Sequence, residues 1–118
     1  MAAHEMRLNP APFSMIRSGE KTIELRLYDE KRKRIAVGDT ITFTETDTGE
    51  QMTVSVTALH VFPSFQELYR ALPLSACGYT EAELASASPD DMLAYYSAEQ
   101  QQKYGVVGIG IAAPGREA

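Results

Sequence analysis

The stretch of residues 19–28, GEKTIELRLY, does most to constrain what this chain can fold into. It opens on Gly19, a residue type that commonly ends a helix, and then alternates between polar and apolar side chains. Alternation with a period of two predicts a β-strand that has Ile23, Leu25 and Leu27 on one face. The stretch therefore predicts a helix that stops at Gly19 and a strand that follows at once.

The other face of this strand carries ionic and hydroxyl side chains. It presents Glu24, Arg26 and Tyr28, with Lys21 at the entrance to the strand. Neighbours on one face of a strand lie about 6.5–7 Å apart, a spacing that suits groups reaching for different atoms of one small polar ligand. The same alternation is the ordinary pattern of a half-buried strand whose polar face meets water. The spacing by itself favours the solvated face, so a ligand-binding role depends on further features of the chain.

Capping and turn residues divide the rest of the chain into short elements. Further strands are predicted at residues 4–8, 40–46, 51–62 and 106–111. Helices are predicted to begin after Asn9, Ser64, Thr80, Ser88 and Ser97, each a residue type that caps helix N-termini. The strand at 51–62 is the longest, and we expect it to bend near its end, as long strands in small barrels do.

Two of these elements contain residues of the kinds that contact ligands. Met92, Tyr95 and Tyr96 recur at helical spacing, which predicts contact with the core in place of a stacking surface. Gly108 and Gly110 alternate with apolar residues in the closing strand, so one face of that strand is expected to be bare. Such glycines let a neighbouring element or a ligand approach closely.

The distribution of charge limits the kind of ligand. The chain has a net charge of −5, but residues 1–34 hold eight bases against five acids, and the remainder holds three bases against eleven acids. The positive pole contains both the central stretch and the basic run at residues 31–34, and it fits an anionic ligand of limited length. A broad surface for a nucleic-acid duplex would need more positive charge. The basic run itself fits a solvating loop and a phosphate contact equally well.

Length and composition set the remaining bounds. The 118 residues, 44% of them hydrophobic, predict a single domain over residues 1–118 with a flexible tail at 112–118. No apolar run approaches the roughly 20 residues that span a bilayer, and the first residues lack the pattern of a signal peptide. We therefore expect a cytoplasmic protein without a membrane segment. One cysteine, Cys77, and two histidines predict neither a disulfide nor a metal site, and no cofactor motif is present.

A longer pattern adds to these inferences. The run Gly19-x-Lys21-Thr22-x-Glu24-x-Arg26, followed by Val37-Gly38-Asp39, resembles the ASCH domain, a branch of the PUA-like superfamily. The resemblance extends from about residue 5 to residue 111. It implies an α+β fold, a PUA-like small curled β-barrel of five to six mostly antiparallel strands with flanking helices. It also implies a groove beside the barrel, because many domains of this superfamily bind RNA or modified nucleotides.

The first functional hypothesis is an RNA- or nucleotide-binding module. Lys21 and Arg26 would direct positive charge at phosphate, and Glu24 would accept hydrogen bonds from a base edge. The further ligand-binding candidates are Tyr28 and Tyr104, which could stack on a base, and His60, which lies on or just past the apolar face of the long strand. The predicted partners are RNA, a nucleotide or a modified nucleoside.

The second hypothesis is a small hydrolase that acts on a modified nucleoside or on RNA. Some proteins that this chain resembles are amidohydrolases that remove an acyl group from a modified cytidine with a lysine, a threonine and a glutamate. Lys21 matches that lysine, Glu24 stands at the position of the threonine, and no acid stands near Pro73, where the glutamate falls. The catalytic candidates are therefore Lys21 and Glu24, with the carboxylate as a general base for water.

Overall fold

The computed structural model of the chain describes residues 1–113. Strands and helices alternate through this part of the chain. In order they are β1 (Ala3–Leu8), α1 (Pro10–Ser18), β2 (Ile23–Leu27), α2 (Glu30–Lys33), β3 (Thr40–Glu45), β4 (Gln51–Phe62), α3 (Phe65–Ala71), α4 (Glu81–Leu84), a 3₁₀ helix (Pro89–Ala94), α5 (Ala98–Tyr104) and β5 (Val106–Ala112).

The five strands form one curled sheet in the order β1-β3-β4-β5-β2. The β1–β3 pair is parallel, and the other three pairs are antiparallel. The sheet has the form of a half-barrel, and helices flank it. This architecture confirms the α+β class and the mostly antiparallel, curled sheet predicted from the sequence. It leaves β2, the strand that carries the ionic side chains, at one edge of the sheet.

The helix before β2 begins and ends as predicted. Pro10 occupies the first turn, where its missing N–H costs no hydrogen bond. Gly19 ends α1 in the left-handed conformation at φ 88°, and its N–H donates to the carbonyl of Ile16. Such a cap turns the chain sharply. β2 therefore starts four residues after Gly19, with Lys21 in the connection between the two elements.

Two clusters of buried apolar side chains share the strand β5. The first lies between α1 and strands β1, β3, β4 and β5, and its largest members are Phe13, Ile16, Ile41, Phe43 and Ile109. The second lies between β2, α3 and the 3₁₀ helix, and includes Leu25, Leu27, Phe65, Leu68 and Met92. Because β5 is buried on both faces, it is the central element to which β2 and the ionic residues are attached.

The glycines of β5 leave room that neighbouring elements fill. A Cβ on Gly108 would lie 2.7 Å from Cδ1 of Leu72 and 3.1 Å from Cγ2 of Ile23, so the chain that leaves α3 packs directly on the strand. Of the two alternatives that the sequence left open, the neighbouring element takes the space. The close approach expected at these glycines is therefore confirmed, and it is used for packing between elements.

Two details of the strands refine the expected boundaries. The bend in β4 is a register shift between Val56 and Ala58, opposite β5, which agrees with the expected bend. β5 continues through Ala112, which pairs with Ser55, and Ala113 is buried. The tail expected from residue 112 therefore does not begin there, and residues 114–118 lie outside the described part of the chain.

Within residues 1–113, no helix combines the length and the apolar character needed to cross a membrane.

Candidate functional site

A groove of about 790 Å³ opens beside the edge strand β2. One side is formed by β1 and α1, and the other by the loop after α3, by α4 and by the 3₁₀ helix. Its polar and aromatic lining residues are Arg7, Asn9, Lys21, Glu24, Arg26, Thr46, Tyr69, Tyr79, Thr80, Glu83, Ser86, Asp91, Tyr95 and Tyr96. A space of this size falls within the usual range for small-molecule sites, about 300–1,000 Å³.

Three ionic side chains meet at the floor of this groove, and we call them the ionic triad: Lys21, Glu24 and Arg26. Nζ of Lys21 lies 3.1 Å from Oε1 of Glu24. Arg26 places Nε at 2.8 Å and Nη2 at 2.7 Å from Oε2 of the same carboxylate. Lys21 and Glu24 are only 8% and 5% exposed. The solvated face that the spacing by itself favoured is therefore not what forms, and the triad leaves one net positive charge.

The position of Lys21 depends on a loop far away in sequence. Its ammonium donates to the carbonyl of Cys77 at 2.9 Å, and its backbone N–H donates to Met15 in α1. Gly78 follows in the left-handed region at φ 109°, and a Cβ there would lie 3.3 Å from both Cδ and Nζ of Lys21. The Cys77–Gly78 peptide therefore forms a wall against the lysine that only glycine fits without strain.

Burial and charge act in opposite directions on Glu24. Burial alone would raise the pKa of this carboxyl, but the charges of Lys21 and Arg26 outweigh it and hold the pKa below its ordinary value. Burial likewise would lower the pKa of Arg26, yet Glu24 and the hydroxyl of Tyr96 raise it overall. Glu24 and Arg26 are therefore both charged at neutral pH, and Arg26 is held further by donating to the carbonyl of Arg7 at 2.9 Å.

A chain of hydroxyls forms part of the opposite wall. The hydroxyls of Tyr69 and Tyr79 lie 2.7 Å apart, and Tyr79 donates to Oδ2 of Asp91 at 2.7 Å. The bond from Tyr79 and a second from the N–H of Ser88 lower the pKa of Asp91. Burial is the largest cause of the raised pKa of Tyr79, and its hydrogen bonds with Tyr69 and Asp91 raise that pKa further. Because Tyr79 donates to the aspartate, its oxygen accepts from Tyr69, and an oxygen lone pair on Tyr69 remains available to a ligand donor.

Two adjacent tyrosines of the 3₁₀ helix region have different environments. The ring of Tyr96 stacks on Phe65 with centroids 6.4 Å apart and planes 15° apart. This confirms the core contact predicted for Tyr96. Tyr95 is 66% exposed and lines the groove, so the core contact predicted for it is wrong. The helix is of the 3₁₀ type and ends at Ala94, so the α-helical spacing used in the prediction does not hold for Tyr95.

The six predicted ligand-binding residues are divided by the structure. Lys21, Glu24 and Arg26 lie together at the groove, whereas Tyr28, His60 and Tyr104 are not among its lining residues. Tyr28 packs against the first core cluster with Nζ of Lys33 5.8 Å from its ring centre. Tyr104 packs against the second cluster with Nζ of Lys103 5.1 Å from its ring centre. His60 is half-buried beyond the bulge of β4, opposite Gly108.

Sequence reasoning missed the residues that the distant segments bring to the groove. Arg7, Tyr69, Tyr79 and Asp91 all line it, and none of them belongs to the motif of residues 19–28. Ser88 predicted a helix start three residues before Asp91, but this indicated a cap and not a groove. No signal in the sequence linked these residues to β2, because the link is made by packing between segments that are distant in the chain.

Other kinds of site receive no support from the described residues. Within residues 1–113 no three His, Cys, Asp or Glu side chains are grouped as metal ligands. Cys77 is buried, and burial raises the pKa of its thiol to about 11. A thiol with that pKa stays protonated at neutral pH, which makes it a poor nucleophile.

Solved structures with the same fold are known. A crystal structure of the hypothetical protein PH0355 is 32% identical, with a TM-score of 0.77 over 96% of this chain and 99% of that one. A solution structure of protein PF0455 from Pyrococcus furiosus is 31% identical, with a TM-score of 0.73 over 98% and 99% of the two chains. An ASCH domain from Lactobacillus crispatus shares the fold alone, at 15% identity and a TM-score of 0.63 over 95% of this chain and 79% of that one.

No curated protein matches the chain. The family model of the ASCH domain matches residues 6–115, which is nearly the whole sequence. The match includes the run of residues 19–26, the ionic triad and the groove that the triad lines. The chain therefore belongs to the ASCH domain family.

Proposed function

We propose that this protein binds RNA or a nucleotide and holds one nucleotide unit in the groove beside β2. The observation that carries the proposal is the combination of a net positive floor and an exposed aromatic ring in one groove. The ionic triad leaves one positive charge in a buried setting, and Tyr95 offers its ring at the wall. Positive charge for phosphate and an aromatic face for a base are the two elements of single-strand recognition.

The lining of the groove combines cations with carboxylates, which suits the phosphate and the base of a nucleotide. Arg7 and Arg26 come from β1 and β2, and Glu83 and Asp91 come from α4 and the 3₁₀ helix. Phosphate is attracted to the arginines, while base-edge amines find acceptors among the carboxylates and hydroxyls. The oxygen of Tyr69, polarised through Tyr79 by Asp91, is one such acceptor.

The hydrolase hypothesis uses the same pair, Lys21 and Glu24, but the geometry favours binding. Both oxygens of Glu24 are already engaged by cations, and its lowered pKa makes it a weaker base than an ordinary glutamate. A carboxylate in this state stabilises a charged floor better than it removes a proton from water. Turnover therefore remains the alternative outcome of the experiment that follows.

The test is calorimetric titration of the protein with the four common ribonucleoside monophosphates, together with chromatography of the mixtures. We expect at least one nucleotide to bind and to be recovered unchanged. Tyr95→Ala should weaken binding about tenfold, because stacking on an aromatic ring contributes about 1–3 kcal/mol per base. Tyr95→Phe should retain the affinity, since it keeps the ring.

Leu93→Ala is the matched control. Leu93 lies in the 3₁₀ helix two residues before Tyr95 and is 51% exposed, but it is not a lining residue of the groove. Wild-type affinity in both Tyr95→Ala and Leu93→Ala would contradict the groove as the binding site. Release of a free base or a deacylated product from a modified nucleoside would show that the function is catalysis and not binding alone.

A further inference from the structure

The basic run at residues 31–34 is the feature of the sequence that the groove does not use. Its first three residues lie in the short helix α2, which Asp29 caps by accepting from the N–H of Arg32, and Arg34 follows as the C-cap. Lys33 turns toward the ring of Tyr28 and pairs with Glu30 at 3.7 Å. Lys31 and Arg32 instead line a second, shallower space of about 520 Å³, which we call the basic cleft.

The basic cleft adjoins the groove. Arg7 and Arg26 line both spaces, so the two meet at these side chains. Four cations, Arg7, Arg26, Lys31 and Arg32, face this cleft, and Glu5 is the acid among its lining residues. The groove by comparison balances three cations with three acids, Glu24, Glu83 and Asp91. Arg26 and Arg32 are paired with Glu24 and Asp29, which do not line the cleft. Arg7 and Lys31 form no ion pair within the described residues, so they supply the unpaired positive charge of the cleft.

The cations of the cleft keep hydrogen-bonding capacity for a ligand. Lys31 is exposed and forms no ion pair within residues 1–113. Arg32 bonds to Asp29 through Nη1 at 2.9 Å, while its Nε is buried without a hydrogen-bond partner in the described part of the chain. A buried guanidinium nitrogen without an acceptor is unusual, because such groups are nearly always satisfied. An anion in the cleft would supply acceptor oxygens beside this guanidinium.

We propose that the basic cleft is a second subsite, which binds the phosphodiester that follows the nucleotide held in the groove. The inference rests on the proposed function and narrows it, since the preferred ligand becomes a single strand of at least two nucleotides. The cleft carries cations but no exposed aromatic ring among its lining residues. It therefore contacts the sugar–phosphate backbone and contributes affinity without reading a base.

The experiment compares oligonucleotides with single nucleotides on Lys31 variants. Binding of fluorescein-labelled homopolymeric RNA hexanucleotides is measured by anisotropy at several salt concentrations, and binding of the matching monophosphates by calorimetry. Lys31→Ala should weaken hexanucleotide binding about threefold and Lys31→Glu more strongly. The slope of log affinity against log salt should fall by about 0.7, the value for one phosphate contact of a single strand. Monophosphate affinity should not change.

Lys33→Ala is the matched control, because Lys33 lies on the same helix, carries the same charge and is not a lining residue of the cleft. It should match the wild type in both assays. DNA hexanucleotides, which carry the same phosphodiesters, should lose affinity in Lys31→Ala by the same factor as RNA, whichever sugar the groove prefers.

The outcomes separate this inference from the function on which it rests. Monophosphates that bind as tightly as hexanucleotides would overturn the second subsite and leave the groove as a nucleotide site. A Lys31→Glu variant with wild-type affinity and salt slope would also overturn it. If neither monophosphates nor hexanucleotides bind the wild type, the proposed function itself fails and the subsite fails with it.

Discussion

At the scale of single residues, Glu24 organises the site. It accepts from Lys21 on one side and Arg26 on the other, and these contacts explain how three ionic groups fit beside two apolar clusters. A buried carboxylate is tolerated only when it is paired and hydrogen-bonded. The triad is therefore as much a structural element as a binding surface, and variants that remove one member disturb both roles.

Gly78 offers a way to move Lys21 without removing any charge. Gly78→Ala places a Cβ 3.3 Å from Nζ of Lys21 at a φ of 109°, whereas Gly49→Ala meets nothing within 4 Å at a φ of 75°. Gly49→Ala should lower the free energy of unfolding by about 1 kcal/mol through backbone strain. Gly78→Ala should cost about 1 kcal/mol more, because the lysine must shift.

Urea denaturation measures the loss of unfolding free energy in both variants. Calorimetric titration with a monophosphate that binds the wild type measures the effect on the site. Only Gly78→Ala should weaken nucleotide binding. Equal stabilities for the two variants, with unchanged binding in both, would contradict the role of Gly78 as the wall against Lys21.

At the scale of elements, the packing of α3 on β5 fixes the shape of the groove wall. Tyr69 belongs to α3, and its hydroxyl begins the chain that runs through Tyr79 to Asp91. The helix rests on β5 through Leu68 and Leu72, at the point where Gly108 lacks a side chain. The glycine therefore sets the distance between the sheet and the wall.

Gly108→Ala should destabilise the protein by about 1–3 kcal/mol, because its Cβ would lie 2.7 Å from Cδ1 of Leu72. Leu72→Ala in the same chain should relieve the clash, so that the double variant is more stable than the sum of the two losses by about 1 kcal/mol. Urea denaturation of the four proteins of this cycle measures the coupling.

Gly110 provides the control cycle for this prediction. A Cβ there would meet Oγ1 of Thr57 at 2.9 Å and the backbone of Ala58 at 3.2 Å, not Leu72. Gly110→Ala and Leu72→Ala should therefore be additive. If the losses of unfolding free energy from Gly108→Ala and Leu72→Ala are additive as well, α3 does not press on β5 at this point.

At the scale of the whole molecule, buried or shielded carboxylates make stability depend on pH. Asp39 accepts from the N–H groups of Ala2 and Ala36 and from the ring of His4. These bonds, led by the one from Ala2, lower the pKa of Asp39 from 3.8 to about 2. Glu24 also has a lowered pKa, although burial opposes the shift. Both carboxylates therefore favour the folded state in their ionised form.

The sign of the pH dependence follows from these pKa values. The contribution of Asp39 is complete above about pH 4, where the carboxyl is ionised in the unfolded chain as well, and it is lost as the pH falls through about 2. Asp39→Asn should therefore be less stable than the wild type at pH 7, and the difference should narrow between pH 4 and pH 2. Urea denaturation across this range provides the measurement.

Asp47→Asn is the control for this pH series. Asp47 is exposed and its carboxylate forms no hydrogen bond within residues 1–113. Its replacement should leave the acid limb of the stability curve unchanged. A constant difference between Asp39→Asn and the wild type from pH 7 to pH 2 would contradict the lowered pKa of Asp39.

Local patterns in the sequence were enough to predict most of the elements. Pro10 and Gly19 predicted where α1 begins and ends, and Ser97 predicted α5, whose cap it forms with Gln100. The strand predicted at residues 51–62 is β4, Gln51–Phe62. These features depend on neighbours a few residues apart, so the information lies within a short window of sequence.

The sequence by itself determined that Glu24 and Arg26 share one face of a strand, with Lys21 at its entrance. Only the tertiary structure decided that this face is buried beside a groove, because the carbonyl that holds Lys21 belongs to Cys77, 56 residues away. Long-range packing also decided that Tyr95 is exposed and that Tyr28 and Tyr104 do not line the groove. Periodicity predicts which side chains point together, but long-range packing determines what they face.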